Sequence, residues 1–533
     1  VPLVFLPQTV GEQEALEKQR QAERPAAIWP SFVWLTVFQV LTAVQVTLAA
    51  KENATVLLPL SFLALCAVMW LYAAALRLGH CVGFELETIA FYLSTLSLAV
   101  TASSAPGSLP KQLLAILLGV CLFLALGLVL RNLERVKKLR WLMGAGAVGL
   151  LGITLVLGRA KFGATNWISL GGVSFQPSEL AKLCYIFAGS ATLERLFRRR
   201  NLALFIVLTG VCIGLLGLMS DFGTALIFFI AFLAIAFLRS GDLPSIAMIC
   251  AAAAAGCGVV LKFKPYIANR FAAWQHVWEF ADTTGYQQTR TMSAAASGGL
   301  FGNGADNGWL KYVGASNTDL VFGMVAEELG LIVAVLTVVC IVTFSLFTIK
   351  AAATSRSTFY TIAACSTSTM LVFQTVLNVL GSVDLLPLTG VTFPFLSCGG
   401  SSMIACWALL AFIKAGDNRQ NSGLAVRLPG RRDEPIRSGG GGDPMLEFDP
   451  SVFDSPSVPP RRSAPAIDIP LSKPRRHSHV DDVMADLGSI DFAHLDTIGE
   501  DCGIDVPLPG EERGRKRRSS IDIPVDDRKG AKR

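Results

Sequence analysis

Charge is scarce in this chain. Only 16% of its 533 residues are Asp, Glu, Lys or Arg, against 52% hydrophobic residues, a balance that excludes a soluble globule. Histidine is rarer still: of five, His477, His479 and His494 fall in the polar C-terminal stretch, so a histidine-built zinc centre is not expected. Cysteine is present but unpatterned. The twelve are scattered singly without a Cys-x-x-Cys, and Cys66, Cys121, Cys184, Cys212 and Cys340 sit inside apolar runs, where a thiol serves as a small packing group. Residues 1–30 mix charged and apolar positions and lack the pattern of a cleavable signal peptide. Excess charge of one sign is also missing. The formal net charge of +6 is spread over loops and tail, which bears on membrane topology and gives no footprint for nucleic acid.

What the chain has instead is long apolar runs. A membrane helix needs about 20 mostly apolar residues, and such runs recur near 31–50, 56–76, 88–104, 112–130, 141–158, 179–196, 203–219, 222–238, 244–262, 321–349, 358–380 and 391–414. The mean hydropathy of +0.52 understates this, because the polar tail dilutes it. Basic residues mark every second loop: Arg77–Gly83, Arg131–Arg140, Arg195–Arg200, Arg239–Asp242, Lys350–Arg356 and the segment after Lys414. By the positive-inside rule these face the cytoplasm, so both termini are expected inside and the number of spans even.

Three segments on the opposite side stand out: Gly158–Ser178, glycine-rich and amphipathic; the long stretch 263–320; and Gly381–Gly400. A loop as long as 263–320 between membrane helices is usually functional, and its aromatics, short apolar stretches and glycine turns suggest an ordered, partly re-entrant lid. The expected organisation is a cytoplasmic N-terminal segment (1–29), two transmembrane helices (30–78), a membrane core (88–414) and a polar tail (415–533). The tail is rich in Arg, Asp, Pro, Ser and Gly and is expected to be disordered and cytoplasmic. A short element recurs in it, RRSAPAIDIP at 461–470 and RRSSIDIP at 517–524, either a kinase or docking site or drift in low-complexity sequence.

Ionisable groups within or at the ends of apolar spans are costly and therefore candidates for function. Glu179 and Lys182, in FQPSELAK, stand i, i+3 on one helical face and can pair; a pair facing a polar cavity accounts for both. Asp221, in SDFGT, reads foremost as a helix cap. The long loop supplies Arg270, Gln287, Arg290 and Lys311; its cations suit a phosphate-bearing ligand, arginine through bidentate contacts. Thr318-Asp319 opens the next span, with Glu327 and Glu328 about two turns deeper. Asp319 is either a simple cap or a working acid.

In this order the clusters resemble the SEDS proteins, the family of RodA, FtsW and SpoVE. The signatures are Phe175-Gln-Pro-Ser-Glu-Leu-Ala-Lys182, Asp221-Phe-Gly-Thr224, Gly285-Tyr-Gln287, Thr318-Asp319 with Ala326-Glu-Glu-Leu-Gly330, and Leu386-Pro-x-Thr-Gly390 with Pro394-x-x-Ser-x-Gly-Gly-Ser401. The resemblance implies an all-α polytopic membrane protein with a ten-helix core, to which the two spans before Phe91 are an N-terminal addition. It implies a peptidoglycan glycosyltransferase that polymerises lipid II on the outer face of the cell membrane. The implied partner is a class B penicillin-binding protein, with other division or elongation proteins around it. The family's essential acid falls on Asp319 beside Thr318, and its membrane Glu–Lys pair on Glu179 and Lys182. With Asp319 as general base, Arg270, Arg290, Lys311 and Lys182 are the cations expected to meet a departing pyrophosphate, and a divalent ion could share that task. A flippase for the same lipid, or a non-enzymatic division scaffold, are the competing readings. The chain departs from the family pattern at Asn166 (usually Arg), Met219-Ser220 (Gln-Pro), Gly314–Asn317 (Pro-Glu-x-His), Phe280-Ala281 (Asp-Pro) and Arg290 (Gln).

Overall fold

The computed structural model describes residues 28–50, 55–78, 84–161, 164–170, 173–193, 199–241, 243–263, 265–354 and 357–416. Most of the N-terminal segment and nearly all of the tail, with its repeated element, lie outside the described residues.

The expected apolar runs are helices. In chain order they are α1 (Ile28–Ala49), α2 (Leu57–Leu78), α3 (Glu85–Ser104), α4 (Leu109–Leu130) and α5 (Leu133–Leu157). A small sheet follows, and then α6 (Pro177–Leu193), α7 (Arg199–Leu218), α8 (Phe222–Ser240) and α9 (Leu243–Phe263). Two shorter helices, α10 (Pro265–Ala273) and α11 (Tyr286–Gly298), order the long loop; α12 (Val321–Glu328), α13 (Leu331–Thr354), α14 (Thr358–Ser382) and α15 (Gly400–Ala415) complete the chain. Among the described residues, nine helices are long and apolar enough to cross a membrane. Three more, α6, α9 and α15, coincide with the remaining apolar runs of the sequence.

The first two helices are tied to each other and to the rest by polar side chains as well as by packing. Gln39 on α1 donates to Thr95 on α3 at 3.2 Å, and the Trp70 indole on α2 donates to Thr36 on α1 at 2.9 Å. At the end that carries the basic loops, Lys414 on α15 pairs with Glu87 on α3 at 3.2 Å, and the Tyr72 hydroxyl of α2 donates to the same carboxylate at 2.9 Å. Both charged side chains are 1% exposed. A charge this deep is tolerated only when matched, and Tyr72 of α2 adds to the matching of Glu87. In the centre, Trp407 of α15 is fully buried among Phe91, Phe123 and Phe395, with ring centroids 4.9, 6.1 and 5.9 Å away.

Four local features differ from expectation, each for a physical reason. The basic segment expected as the loop Arg131–Arg140 forms the first turns of α5, because Asn132 caps it by accepting from the Glu134 and Arg135 amides at 3.0 and 3.4 Å. The run 321–349 is two helices; Gly330, at φ +93°, separates them where a Cβ would fall 2.3 Å from the Leu300 carbonyl. The last span begins at Gly400, since Pro387, Pro394 and the glycines ahead of it hold 383–399 irregular. Gly158–Ser178 forms an antiparallel sheet of order β1-β2-β3, from β1 (Arg159–Lys161), β2 (Ala164–Leu170) and β3 (Val173–Phe175). In it Arg159 faces Trp167 and Ile168 faces Phe175. The Thr165 amide donates to Met219 O at 3.0 Å, which pins the sheet over the α7–α8 corner.

Candidate functional site

At the end of the bundle opposite the basic loops lies a cavity of about 1510 Å³, larger than the roughly 300–1,000 Å³ of ordinary ligand pockets. Its wall has two characters. Near the sheet and the 315–319 turn it is polar, with Asn166, Gln176, Asn317, Thr318 and Ser401. Its charged members are Lys111, Asp221, Arg270 and Asp319. Along α4, α7 and α8 it is apolar, with Leu114, Leu118, Ile213, Leu226 and Phe229. Leu114 and Leu118 are 55% and 49% exposed on α4, a helix long and apolar enough to cross a membrane.

Asp319 sits on a backbone turn held from several directions. The Thr318, Asp319 and Leu320 amides all donate to Ala315 O, at 3.2, 2.9 and 3.3 Å, and Ala315 itself takes φ +62°. The irregular segment 383–399 then clamps the turn: Ser397 Oγ donates to Thr318 O at 2.6 Å and the Cys398 amide to Asn317 O at 2.8 Å. Asn378 on α14 donates to Asp319 O at 2.9 Å. Gly390, at φ +70°, passes beside the carboxylate, where a Cβ would lie 3.3 Å from Asp319 Oδ2; a side chain there would press on the acid. The N-cap of α12 is Leu320, so Asp319 precedes the helix it was a candidate to cap.

Asp221 is a cap, as its sequence context suggests: Oδ1 accepts from the Thr224 amide at 3.1 Å. Its other oxygen accepts from Asn166 Nδ2 at 2.8 Å, which gives the residue that departs from the family pattern a defined partner. Arg270, on α10, lines the cavity and donates from Nη1 to Leu388 O at 2.6 Å.

The expected site residues divide by placement. Arg270, Thr318 and Asp319 line the cavity, whereas Glu179, Lys182, Gln287, Arg290 and Lys311 stand off it. Glu179 and Lys182 do pair, at 2.8 Å, but the pair faces packed interior: Lys182 is 1% exposed, and its ammonium also donates to Gln374 Oε1 on α14 at 3.1 Å. Gln287 donates to Gly314 O at 2.8 Å, bracing the approach to the Asp319 turn. Thr318 Oγ1 bonds back to Ala315 O at 3.2 Å. Arg290 is exposed and lies over the Tyr286 ring, 5.2 Å from its centroid. Lys311 is matched by the Asp306 carboxylate and carbonyl. Among the described residues no three His, Cys, Asp or Glu side chains converge as a metal site.

Lys111 is the cavity cation that sequence reasoning passed over. It stands in the first turn of an apolar span, at the end where positive charge runs against the positive-inside bias, and that signal was available.

Glu327 and Glu328 brace the loop that leads to the turn. Glu327 is fully buried and accepts the Trp309 and Leu310 amides, at 2.8 and 3.0 Å, one on each oxygen. Glu328 accepts from the Ser103 hydroxyl. It lies outside the apolar helix Leu331–Ala352. Burial pushes its carboxyl up to about 7 from an ordinary 4.5, against the lowering pull of Ser103, the Asp306 backbone and Lys311. A raised carboxyl pKa penalises the folded state where the group is ionised, above pH 7. The penalty builds between pH 4.5 and 7 and is gone only below 4.5, where folded and unfolded forms are both protonated. Glu328→Gln is therefore expected to raise the thermal midpoint of the purified protein at pH 8 and to raise it much less at pH 5. An equal shift at both pH values would show that ionisation of Glu328 carries no such cost.

Comparison with known proteins identifies the family. Residues 82–421 match the model of the FtsW/RodA/SpoVE family, described as "Cell cycle protein"; α1 and α2 precede the matched region. The chain is 34% identical over 310 residues, covering 56% of itself and 80% of the relative, to the "Probable peptidoglycan glycosyltransferase FtsW" of Tolumonas auensis. It is 29% identical over 351 residues to the "Peptidoglycan glycosyltransferase RodA" of Mycobacterium bovis, covering 62% of itself and 74% of that protein. A solved structure described as "Structural coordination of polymerization and crosslinking by a peptidoglycan synthase complex" contains a chain that superposes with a TM-score of 0.54. At 28% identity the match covers 63% of this chain and 98% of that one. The chain belongs to the FtsW/RodA/SpoVE family.

Proposed function

We propose that this protein is a peptidoglycan glycosyltransferase that polymerises lipid II, an undecaprenyl-pyrophosphate-linked disaccharide-pentapeptide, with inversion at the anomeric carbon. The observation that carries this reading is a single cavity that joins Asp319 and two cations, Lys111 and Arg270, to an apolar wall on helices of membrane-spanning length, its other carboxylate, Asp221, being engaged as a helix cap. Such a wall suits a prenyl chain, and the polar end suits a sugar pyrophosphate.

Asp319 takes the proton from the acceptor's 4-hydroxyl as that oxygen bonds to the donor's anomeric carbon and the bond to pyrophosphate breaks. A glycosidase pairs its base with an acid because its leaving group is a sugar oxygen. Pyrophosphate departs as a stable anion and needs positive charge instead, so one carboxylate suffices. Arg270 can engage its oxygens bidentately, and Lys111 supplies a second charge at the mouth. A divalent ion could add to this neutralisation. The positive-inside bias supports an extracytoplasmic cavity and cytoplasmic termini, and the similarity to a chain of a peptidoglycan synthase complex supports a class B penicillin-binding protein as the crosslinking partner.

The test is polymerisation of purified lipid II by the purified full chain, with and without that partner. Glycan chains resolved on a gel are the expected result. Transport of labelled lipid II across vesicles without chain products would overturn the reading in favour of a flippase.

A further inference from the structure

We infer that Gln374 and Asn378, two buried amides one turn apart on α14, are positioning residues that fix the Asp319 turn, and that the Glu179–Lys182 pair acts on catalysis through Gln374. The inference rests on the reading of Asp319 as the base.

The two amides stand i, i+4 and so share a helix face; each is 1% exposed. Gln374 spends both amide hydrogens on the neighbouring segment 383–399, and Asn378 divides its two between that segment and the Asp319 turn. Asn378 Nδ2 donates to Asp319 O at 2.9 Å and to Val391 O at 2.7 Å. Gln374 Nε2 donates to Thr392 O at 2.7 Å and to Thr392 Oγ1 at 3.0 Å. Val391 and Thr392 belong to the irregular segment 383–399. That segment also supplies Ser397 and Cys398, which grip the Thr318 and Asn317 carbonyls, and Gly390, which passes beside the carboxylate. Asn378 thus touches both the acid's backbone and the segment clamping it.

A glutamine amide presents oxygen or nitrogen about equally well until its partners decide. For Gln374 the partner is an ammonium, which can only donate. Lys182 Nζ, 3.1 Å away, therefore compels the oxygen to face it, and the nitrogen is left for Thr392. Glu179 holds that ammonium at 2.8 Å. The chain of contacts runs from a buried ion pair, through the orientation of one amide, to the register of a segment against which the base is set. Displacement of a catalytic group by about 1 Å costs on the order of 10²-fold in rate.

The experiment uses the purified full chain, lipid II and quantified glycan products, with the thermal midpoint of each variant measured alongside. Asn378→Leu, of similar shape but without donors, is expected to lower kcat about 10²-fold and to leave KM for lipid II within about threefold of the native value. Gln374→Met and the charge-neutral double variant Glu179→Gln/Lys182→Met should each lower kcat. Combined, they should do no worse than the more damaged of the two, because both break one chain of contacts. If Asn378→Leu is too unstable to purify, Asn378→Ser, which keeps one donor and adds no bulk, should show a smaller loss, again in kcat. Unchanged kcat in the Asn378 variant overturns the inference. So does a loss confined to KM, which would mark these side chains as ligand contacts, and so do losses that multiply when combined. A native chain that makes no glycan sinks the reading of Asp319 itself, whereas an active native chain with an unaffected Asn378 variant sinks only this inference.

Discussion

Asp319→Asn is expected to abolish nearly all glycan polymerisation while the protein inserts, purifies and melts like the native chain. The amide is isosteric with the carboxylate, and the turn is held through backbone atoms: Ala315 O accepts three amides, and Asp319 O accepts from Asn378. None of these contacts needs the charge. What disappears is the acceptor for the sugar hydroxyl's proton, and general-base catalysis is worth about 10²–10⁴-fold. The loss should therefore appear in kcat, with binding of lipid II retained. Asp319→Glu is a sharper probe of placement. It keeps the base but advances it by a methylene, beside a segment where Gly390 leaves room only because it lacks a Cβ. Its rate should fall between those of the native chain and the Asn variant. Normal polymerisation by Asp319→Asn would remove the acid from the mechanism, and comparable loss in an Asp221→Asn control would mean that any change of charge in the cavity is disabling.

The helical architecture was legible because apolar runs of membrane length and alternating basic loops are one-dimensional signals, and α1 to α4, α7 and α8 follow them closely. What escaped notice depends on partners far away in sequence. The sheet of β1, β2 and β3 is pinned by Met219 O, which lies over fifty residues beyond Thr165. Gly330 reads as one more residue in an apolar run until the Leu300 carbonyl is known to pass beside it. The site divides in the same way. Asp319 and Arg270 were legible from residue type and context, and both line the cavity. Lys182 illustrates the limit: spacing identified its pairing with Glu179, but not whether the pair looks into a cavity or into Gln374. Gln374 and Asn378 were visible as two amides at i, i+4 within an apolar helix, a costly placement that calls for partners. Only the fold supplies those partners.

Arg270 provides the second large effect. Arg270→Ala is expected to lower kcat/KM by about 10²-fold, the loss typical of removing one preorganised donor from a developing anion, and to do so mainly through kcat, because negative charge on the pyrophosphate grows as the bond breaks. Arg270→Lys separates two contributions. A lysine restores the charge but not the planar fork, and the contact to Leu388 O at 2.6 Å depends on the guanidinium's reach. Recovery of most of the rate by lysine would assign the effect to charge. Recovery of little would assign it to geometry, either bidentate grip on phosphate oxygens or the tether between α10 and the segment that clamps Asp319. Arg290→Ala is the internal control, since that guanidinium lies over Tyr286 at an exposed position off the cavity wall, and its rate should remain close to native. If Arg290→Ala proves as damaging as Arg270→Ala, then α11 must approach the bound lipid during turnover, and the cation that meets the leaving group has to be sought on that helix.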